Sequence, residues 1–378
     1  MYLAAVRLRN VGPFEDVTIS LVDADGAPRP TTVVLGDSGA GKTTLLAAIA
    51  STRPGLVQAP PRARSDVAAP DAYVVARWQL GIDDPARPHE LVLASPLADL
   101  HEHPTEAAAR KREQAHFDRI ASERGFCLVP LSTARWAGRA PAGGATPDRA
   151  VSSMDHRAHA TFDDATRADL AREVKQGLVN AVTVAALRAY QAPPSPRSAS
   201  TGPVGAPDGR TSSMLPPPPN RPQREGPPLH DLYRSTFAAL LPDGEAVYEG
   251  IDSTSFEPLF RDQAGRIVPF DDLGFGIKNR IVMGGILLRR LSLAYPGKNP
   301  LECEGVALID EIEAHLPQRR QREIVDVLRR AFPRLQLIVT TQSPHVIEGR
   351  AHDEIVVLSR DLQTGTIAVT GGPEAVLH

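Results

Sequence analysis

The chain has 378 residues, 42% of them hydrophobic, and a formal net charge of −3. That length accommodates one large domain or two ordinary ones of roughly 100–200 residues each, and the small net charge excludes a whole-molecule field drawing the chain to nucleic acid or an anionic membrane. Two cysteines without CxxC spacing exclude a disulfide framework and argue against a structural zinc site.

In chain order, the opening MYLAAVRLRNVGPF lacks the basic region and roughly 7–15-residue apolar core of a signal peptide. No later apolar run reaches the ~20 residues that span a bilayer. The expectation is a cytoplasmic protein without membrane contact. Residues 3–8, 16–21 and 31–36 read as short strands, with turns at Gly12–Pro13 and Asp25–Gly26. Residues 72–80 and 90–94 read as a further strand pair, which suggests a largely antiparallel sheet beside a glycine-rich loop. A helix is predicted over about 105–124, a buried strand over 126–131 and a long helix over 164–190, where Leu170, Val174, Leu178, Ala181 and Ala185 recur at steps of three and four. Residues 192–228 are dense in Pro, Ser, Gly and Arg and read as a flexible linker of polyproline character. From about 271 the pattern alternates again: a helix over 277–294, a strand over 305–309, a helix over 318–332, a strand over 335–340, a short helix from Pro344 and a strand over 354–358. Such alternation predicts a parallel α/β sheet.

Between the strand TTVVL and the helix LLAAIA lies Gly36-Asp37-Ser38-Gly39-Ala40-Gly41-Lys42-Thr43, followed by Thr44. This satisfies GxxxxGK[ST]. A loop that curls its backbone N–H groups onto phosphate oxygens cannot accommodate a Cβ at each position, hence the glycines. The helix N-terminus adds positive potential. Lys42 is expected to reach the β- and γ-phosphates of ATP, and the Thr43 hydroxyl to ligate Mg²⁺.

The second element is GVALIDEIEAHLP, 305–317. Asp310 ends a buried strand, where a carboxylate can hold the water shell of Mg²⁺ opposite Thr43. Glu311 follows, placed to polarise a water for attack on the γ-phosphate. Two acids capping the next helix would be the bland alternative. The two motifs lie about 270 residues apart, so one ATPase sheet would be interrupted by a large insertion.

Four stretches carry a family resemblance: VRLRNVGPFEDVTISL, GDSGAGKTTLLAAIA, FDDLGFGIKNRI, and ALIDEIEAHLPQRRQREIVDVLRRAFPRLQLIVTTQSPHVI. They resemble the opening strand pair, phosphate loop, signature segment and distal acidic block of the ABC-type ATPase heads of the RecF, SMC, Rad50 and OLD group. More closely, they are similar to the short bacterial AAA-type ATPases of that group, many found in genome-defence systems. Together they cover about a third of the chain; residues 60–270 carry no clear match, although PLSTARW at 130–136 resembles a segment that often precedes the family's insertion. The resemblance implies an α/β P-loop NTPase of ABC-ATPase type, with a mostly parallel sheet, flanking helices, an antiparallel β subdomain and an inserted helical region. It implies residues 1–100 as the first half of the head, 101–191 as a helical insertion, 192–228 as the linker and 229–378 as the second half. It further implies ATP as the glue of a homodimer, or a higher oligomer, in which the signature around Gly274 and Gly276 closes over the γ-phosphate of the other subunit, with His315 near the seam. A separate effector such as a nuclease is the implied partner.

Departures from the family pattern point to slow hydrolysis. The signature serine is Gly274, the switch histidine is Gln342, Asp37–Ser38 stands where an Asn is usual, and no glutamine is evident as the metal-binding one. Gln342 can hydrogen-bond a phosphate or a water but cannot carry the charge of a histidinium. A transporter's nucleotide-binding subunit and a weakly hydrolysing ATP-dependent scaffold are the alternatives. His101 and His103 lack further ligands for a metal, and the arginine pairs 289–290, 319–320 and 329–330 read as solvated faces, with nucleic-acid contact as the other reading. No nuclease constellation is evident, so any cutting is expected of another chain. The helices at 105–124 and 164–190 could pair as a short stalk.

Overall fold

A computed structural model of the chain describes residues 1–79, 90–122, 126–133, 141, 143–144, 170–191, 228–361 and 363–371. Strands β1 (Tyr2–Val11), β2 (Phe14–Ser20), β4 (Tyr73–Gln79) and β5 (Leu91–Ala94) form an antiparallel sheet in the order β2-β1-β4-β5. The main sheet has six strands. Its order is β13-β12-β3-β11-β10-β6, built from β3 (Thr31–Gly36), β6 (Leu128–Leu131), β10 (Gly305–Ile309), β11 (Leu335–Thr341), β12 (Ile355–Arg360) and β13 (Ile367–Gly371). All its neighbours pair in parallel except the edge strand β13. A third, three-stranded antiparallel sheet comprises β7 (Ala246–Ile251), β8 (Pro258–Asp262) and β9 (Ile267–Pro269).

The central strands β3, β11, β10 and β6 are buried at every position, so they carry near-continuous apolar runs rather than a polar–apolar alternation. Along β10, Val306 and Leu308 enter one core while Ala307 and Ile309 enter the other. The first core holds helix α1 (Lys42–Ser51), sandwiched between the main sheet and the four-stranded sheet. This explains its apolar character all round. Gln336, 1% exposed, joins those two sheets: its side chain accepts from Leu3 N at 2.8 Å and donates to Leu3 O at 2.9 Å.

The second core is helical, formed by α3 (Leu170–Gln191), α4 (Leu229–Leu240), α5 (Phe275–Ala294) and α6 (Gln318–Ala331). A Cβ on Gly284 would lie 2.0 Å from Leu240 Cδ1, and one on Gly285 2.7 Å from Val174 Cγ1. The paired glycines of α5 therefore set how closely it crosses α4 and α3. Helix α2 (Pro104–Ser122) packs instead against β5. The stalk expected from α2 and α3 is thus a correction: among the described residues α3 packs on α4 and α5 and makes no substantial packing with α2. Within 101–191, read from sequence as a helical insertion, β6 is a strand of the main sheet. The region 192–227 assigned to the linker, and residues 164–169 of the long predicted helix, lie outside the described residues. No helix among the described residues is long and apolar enough to cross a membrane.

Candidate functional site

The site forms where the C-terminal ends of β3, β11, β10 and β6 meet the N-terminus of α1. The glycine-rich loop leaves β3 at Gly36, whose Cβ would strike Leu358 O at 2.7 Å. Gly39 and Gly41 hold φ of 83° and 86°, the left-handed region in which a side chain is strained. Asp37, Ser38 and Gly39 form the exposed tip, and Ala40 is buried. Lys42 is only 6% exposed, and its ammonium donates to Gly36 O at 2.7 Å and Asp37 O at 2.8 Å. Burial draws its pKa below the usual lysine range, opposed by the Glu311, Asp310, Glu313 and Asp37 carboxylates. Thr44 packs inward, and its Oγ1 accepts from Arg62 Nη1 at 2.9 Å.

Asp310 is 1% exposed, and three hydroxyls converge on it. Thr43 Oγ1 donates to Oδ2 at 2.8 Å, Thr133 Oγ1 to Oδ2 at 2.7 Å and Thr340 Oγ1 to Oδ1 at 2.5 Å. A hydrogen bond to a charged group contributes about 1.5–3 kcal/mol, so this set compensates the cost of burying the carboxylate. The Thr43–Asp310 contact joins residues separated by 267 positions. Sheet order brings them together: only β11 separates β3, from which the loop to Thr43 leaves, from β10, which ends just before Asp310, while β11 itself holds Thr340 and β6, on the other side of β10, ends just before Thr133.

Glu311 sits at φ 45°, a conformation costing a non-glycine residue on the order of 1–3 kcal/mol. Backbone bonds fix it. Its N–H donates to Thr340 Oγ1 at 2.8 Å, and the next residue, Ile312, donates to Thr340 O at 3.0 Å. Gln342 Nε2 donates to the Glu311 carboxylate, and Gln342 N donates to Glu313 Oε1 at 2.7 Å. Ser343 Oγ donates to Gln321 Oε1 at 2.6 Å, while Gln321 Nε2 donates to Leu316 O at 2.7 Å. The loop after β11 is thereby tied to the loop after β10.

Gly274 is exposed and caps α5. Gly276 lies against the backbone of His315, where a Cβ would meet His315 O at 2.9 Å. The Phe275 and His315 rings meet edge-on with centroids 4.4 Å apart, and Asn279 Nδ2 donates to Ala314 O at 2.9 Å. Gly276 and His315 thus pack together within the chain, with Gly274 two residues before Gly276 at the N-cap of α5.

The donor set suits magnesium. Magnesium is commonly held by one or two carboxylates together with substrate phosphates and waters, and in phosphate-loop sites by the loop's Ser/Thr hydroxyl. Among the described residues, no group of three or more His, Cys, Asp or Glu forms a dedicated metal cage. His103 Nδ1 instead lies 2.8 Å from Thr105 Oγ1, at the start of α2. The sequence singled out Thr43, Asp310, Glu311 and Gln342 but missed Thr133, Thr340 and Arg62. Thr340 opens the TTQSP stretch and Thr133 lies in PLSTARW, so the signal was present but unresolved to single hydroxyls.

Residues 155–348, slightly over half of the chain, match the family described as "AAA domain, putative AbiEii toxin, Type IV TA system". The chain belongs to this AAA-domain family. Membership of this AAA-domain family, together with the phosphate loop, implies nucleotide binding. Residues 5–62 match a second family described as "AAA domain". This AAA-domain protein is similar to the Septu protein PtuA of Bacillus thuringiensis, 26% identical over 122 residues, or 32% of this chain and 31% of the relative. It is similar to the "Retron Vc95 probable ATPase" of Vibrio cholerae serotype O1 biovar El Tor, 32% identical over 29% of this chain and 22% of the relative. The "Retron Ec83 probable ATPase" of Escherichia coli is 41% identical over 20% of this chain and 14% of the relative. The chain thus spans less than a third of the length of these relatives. The fold is similar to an SMC head bound to the C-terminal winged-helix domain of ScpA, with a TM-score of 0.50 at 13% identity, covering 100% of this chain and 99% of that one. It is also similar to an Smc head domain with an extended coiled coil bound to the C-terminal domain of ScpA derived from Pyrococcus furiosus, with a TM-score of 0.51 at 14% identity, covering 100% and 98%. The AAA-domain protein thus has the α/β fold of an SMC head: a mostly parallel sheet accompanied by antiparallel sheets.

Proposed function

We propose that this AAA-domain protein binds Mg²⁺–ATP, hydrolyses it slowly, dimerises head-to-head on ATP and acts as a sensor or switch for a separate effector. The observation that supports this most is the Thr43–Asp310 hydrogen bond, which closes a phosphate loop onto a buried carboxylate at the end of β10, one strand removed from β3. The amides of Gly39 to Thr43 cradle the phosphates, and Lys42 turns from its loop carbonyls to the β- and γ-oxygens. Thr43 and Asp310 hold the cation, which, when bound, neutralises phosphate charge. Glu311 accepts a proton from the attacking water. The Gly274–Gly276 helix N-terminus contributes backbone N–H groups to the γ-phosphate of the opposite subunit, with His315, packed on Phe275, at the seam. Residues 1–100 and 229–378 form the head in this reading, and β6 is assigned to it as well.

The similarity to a Septu protein and to retron ATPases supports a place in bacterial genome defence, or in DNA repair, with a nuclease or toxin as the effector. A second reading is a scaffold that binds ATP without turning it over. The Gln342 amide held on the Glu311 carboxylate favours it, because a donor to that carboxylate weakens it as a base. Light scattering tests the proposal. With Mg²⁺–ATP, Glu311→Gln should double in mass while Lys42→Ala stays monomeric. An unchanged mass for Glu311→Gln would refute the ATP-bound dimer, and parent protein releasing no phosphate would select the scaffold.

A further inference from the structure

We infer that Arg360 is a phosphate-contacting residue of the nucleotide site, supplied by strand β12 beside the glycine-rich loop. The inference rests on the Mg²⁺–ATP reading above. Strand β12 pairs in parallel with β3, and the ladder ends at Leu358 opposite Gly36, where the loop leaves the sheet. Beyond that point β3 turns into the loop while β12 runs on to Arg360. Alternate residues of a strand share a face. Val356 and Leu358 enter the core that holds α1, so Arg360 follows them on the face where the loop and α1 lie. Its side chain reaches the loop there: Nη1 lies 3.6 Å from the point where a Cβ on Gly39 would sit.

The cations around the loop differ in what already holds them. The Lys42 ammonium is buried on loop carbonyls, and Arg62 is engaged with Thr44 Oγ1. The Arg360 guanidinium is exposed and, among the described residues, has no hydrogen-bond or ion-pair partner. The adjacent acid is committed elsewhere. Asp361 Oδ1 accepts from Gln363 N at 2.7 Å and from Thr364 N at 3.2 Å, and Asp361 N donates to Thr366 O at 2.9 Å. These bonds close the turn between β12 and β13. Arg360, opposite Ile367, is carried on that hairpin, with Nη2 3.7 Å from the Cβ position of Gly365. A guanidinium presents a rigid fork of N–H donors that matches phosphate oxygens. Placed by a closed hairpin at the loop tip, it supplies a permanent positive charge. Gln342, which follows β11 on the other side of β3, cannot carry one.

The test reads nucleotide affinity rather than turnover. Fluorescence polarisation follows a fluorescent nonhydrolysable ATP analogue with Mg²⁺ on the full chain, for the parent, Arg360→Gln and Arg360→Lys, at concentrations where mass photometry finds monomers. The inference predicts that Arg360→Gln weakens binding about ten-fold, the loss of one charge-assisted contact. Arg360→Lys, which keeps the charge without the fork, should fall between Gln and the parent. Thermal melts without nucleotide should coincide, since an exposed side chain with no partner contributes little to stability. Parent-like affinity in Arg360→Gln, or equal affinities for Lys and Gln, overturns the inference and leaves the ATPase reading intact. Parent-like affinity in the monomer with loss of the ATP-driven doubling in mass places the guanidinium at the seam and overturns it likewise. A lowered nucleotide-free melt in Arg360→Gln marks a structural role and also overturns it. A parent that binds no analogue overturns both the inference and the ATPase reading.

Discussion

Replacing Lys175 by methionine should destabilise the head, and the structure sets the scale. The Lys175 side chain is 0% exposed, with its ammonium 2.7 Å from Glu257 Oε1 and 2.7 Å from Asp271 Oδ1. It also lies 5.2 Å from the Phe270 ring centroid. Removing one partner of a buried ion pair costs about 3–5 kcal/mol, because the other charge stays buried. Here the stranded carboxylates keep some access to water, at 15% and 21% side-chain exposure. The lower end of that range applies, about 3 kcal/mol, which is roughly 6–12 °C in Tm on the scale of a 150–250-residue unit. Burial already raises the Glu257 pKa above the usual carboxylate range in the parent. A carboxyl with a raised folded-state pKa loses its contribution as pH rises through that value, and loss of Lys175 raises it further. The deficit of Lys175→Met should therefore be smaller at pH 5 than at pH 8 in thermal melts followed by circular dichroism. A melt within about 2 °C of the parent at pH 8, well under the shift expected for ~3 kcal/mol, would refute the reasoning, as would an equal deficit at both pH values.

Two further outcomes follow from the site and the core. Gln342→His should raise phosphate release roughly ten-fold at unchanged ATP affinity, the effect of about 1.4 kcal/mol from one charge-assisted bond in the transition state; equal turnover would remove Gln342 from the chemistry. The Cys127 thiol is pushed up to about 12 by burial, and burial also raises Cys303, whose Sγ donates to Asn299 O at 3.2 Å. Neither should react with a disulfide reagent at pH 8 until the chain unfolds. The Cys127 contribution to stability should be complete below about pH 8.5 and fall as pH climbs toward 12.

The parts of the fold legible in the sequence were those with a single dominant signal. Val306–Ile309 and Leu335–Thr341 are buried at every position because both faces of the sheet are covered, and the glycine loop announces itself by composition. Strands β7 to β9 were not placed, because a stretch such as AVYEGI is buried at only two of its six positions and so lacks a clean two-residue alternation. Edge strand β13 was missed for the same reason, with one buried residue in five. At the site, Asp310 and Thr43 were readable from motif chemistry. Thr133 and Thr340 were not, since a lone hydroxyl has no periodicity. Only the strand order β11-β10-β6 shows that they flank one carboxylate. The clustering of His315 with Gly276 is likewise a tertiary fact, set by packing of α5 on the loop after β10.

The central claim is that the Gly36–Thr44 loop and Asp310 together grip a magnesium-bound triphosphate. Isothermal titration of Mg²⁺–ATP into Glu311→Gln, with Lys42→Ala and Asp310→Ala introduced separately into that background, tests it most directly. The account predicts saturable binding at one nucleotide per chain in Glu311→Gln, none on adding Lys42→Ala, and loss of the magnesium-dependent share of the affinity on adding Asp310→Ala. Equal isotherms for all three proteins would contradict it.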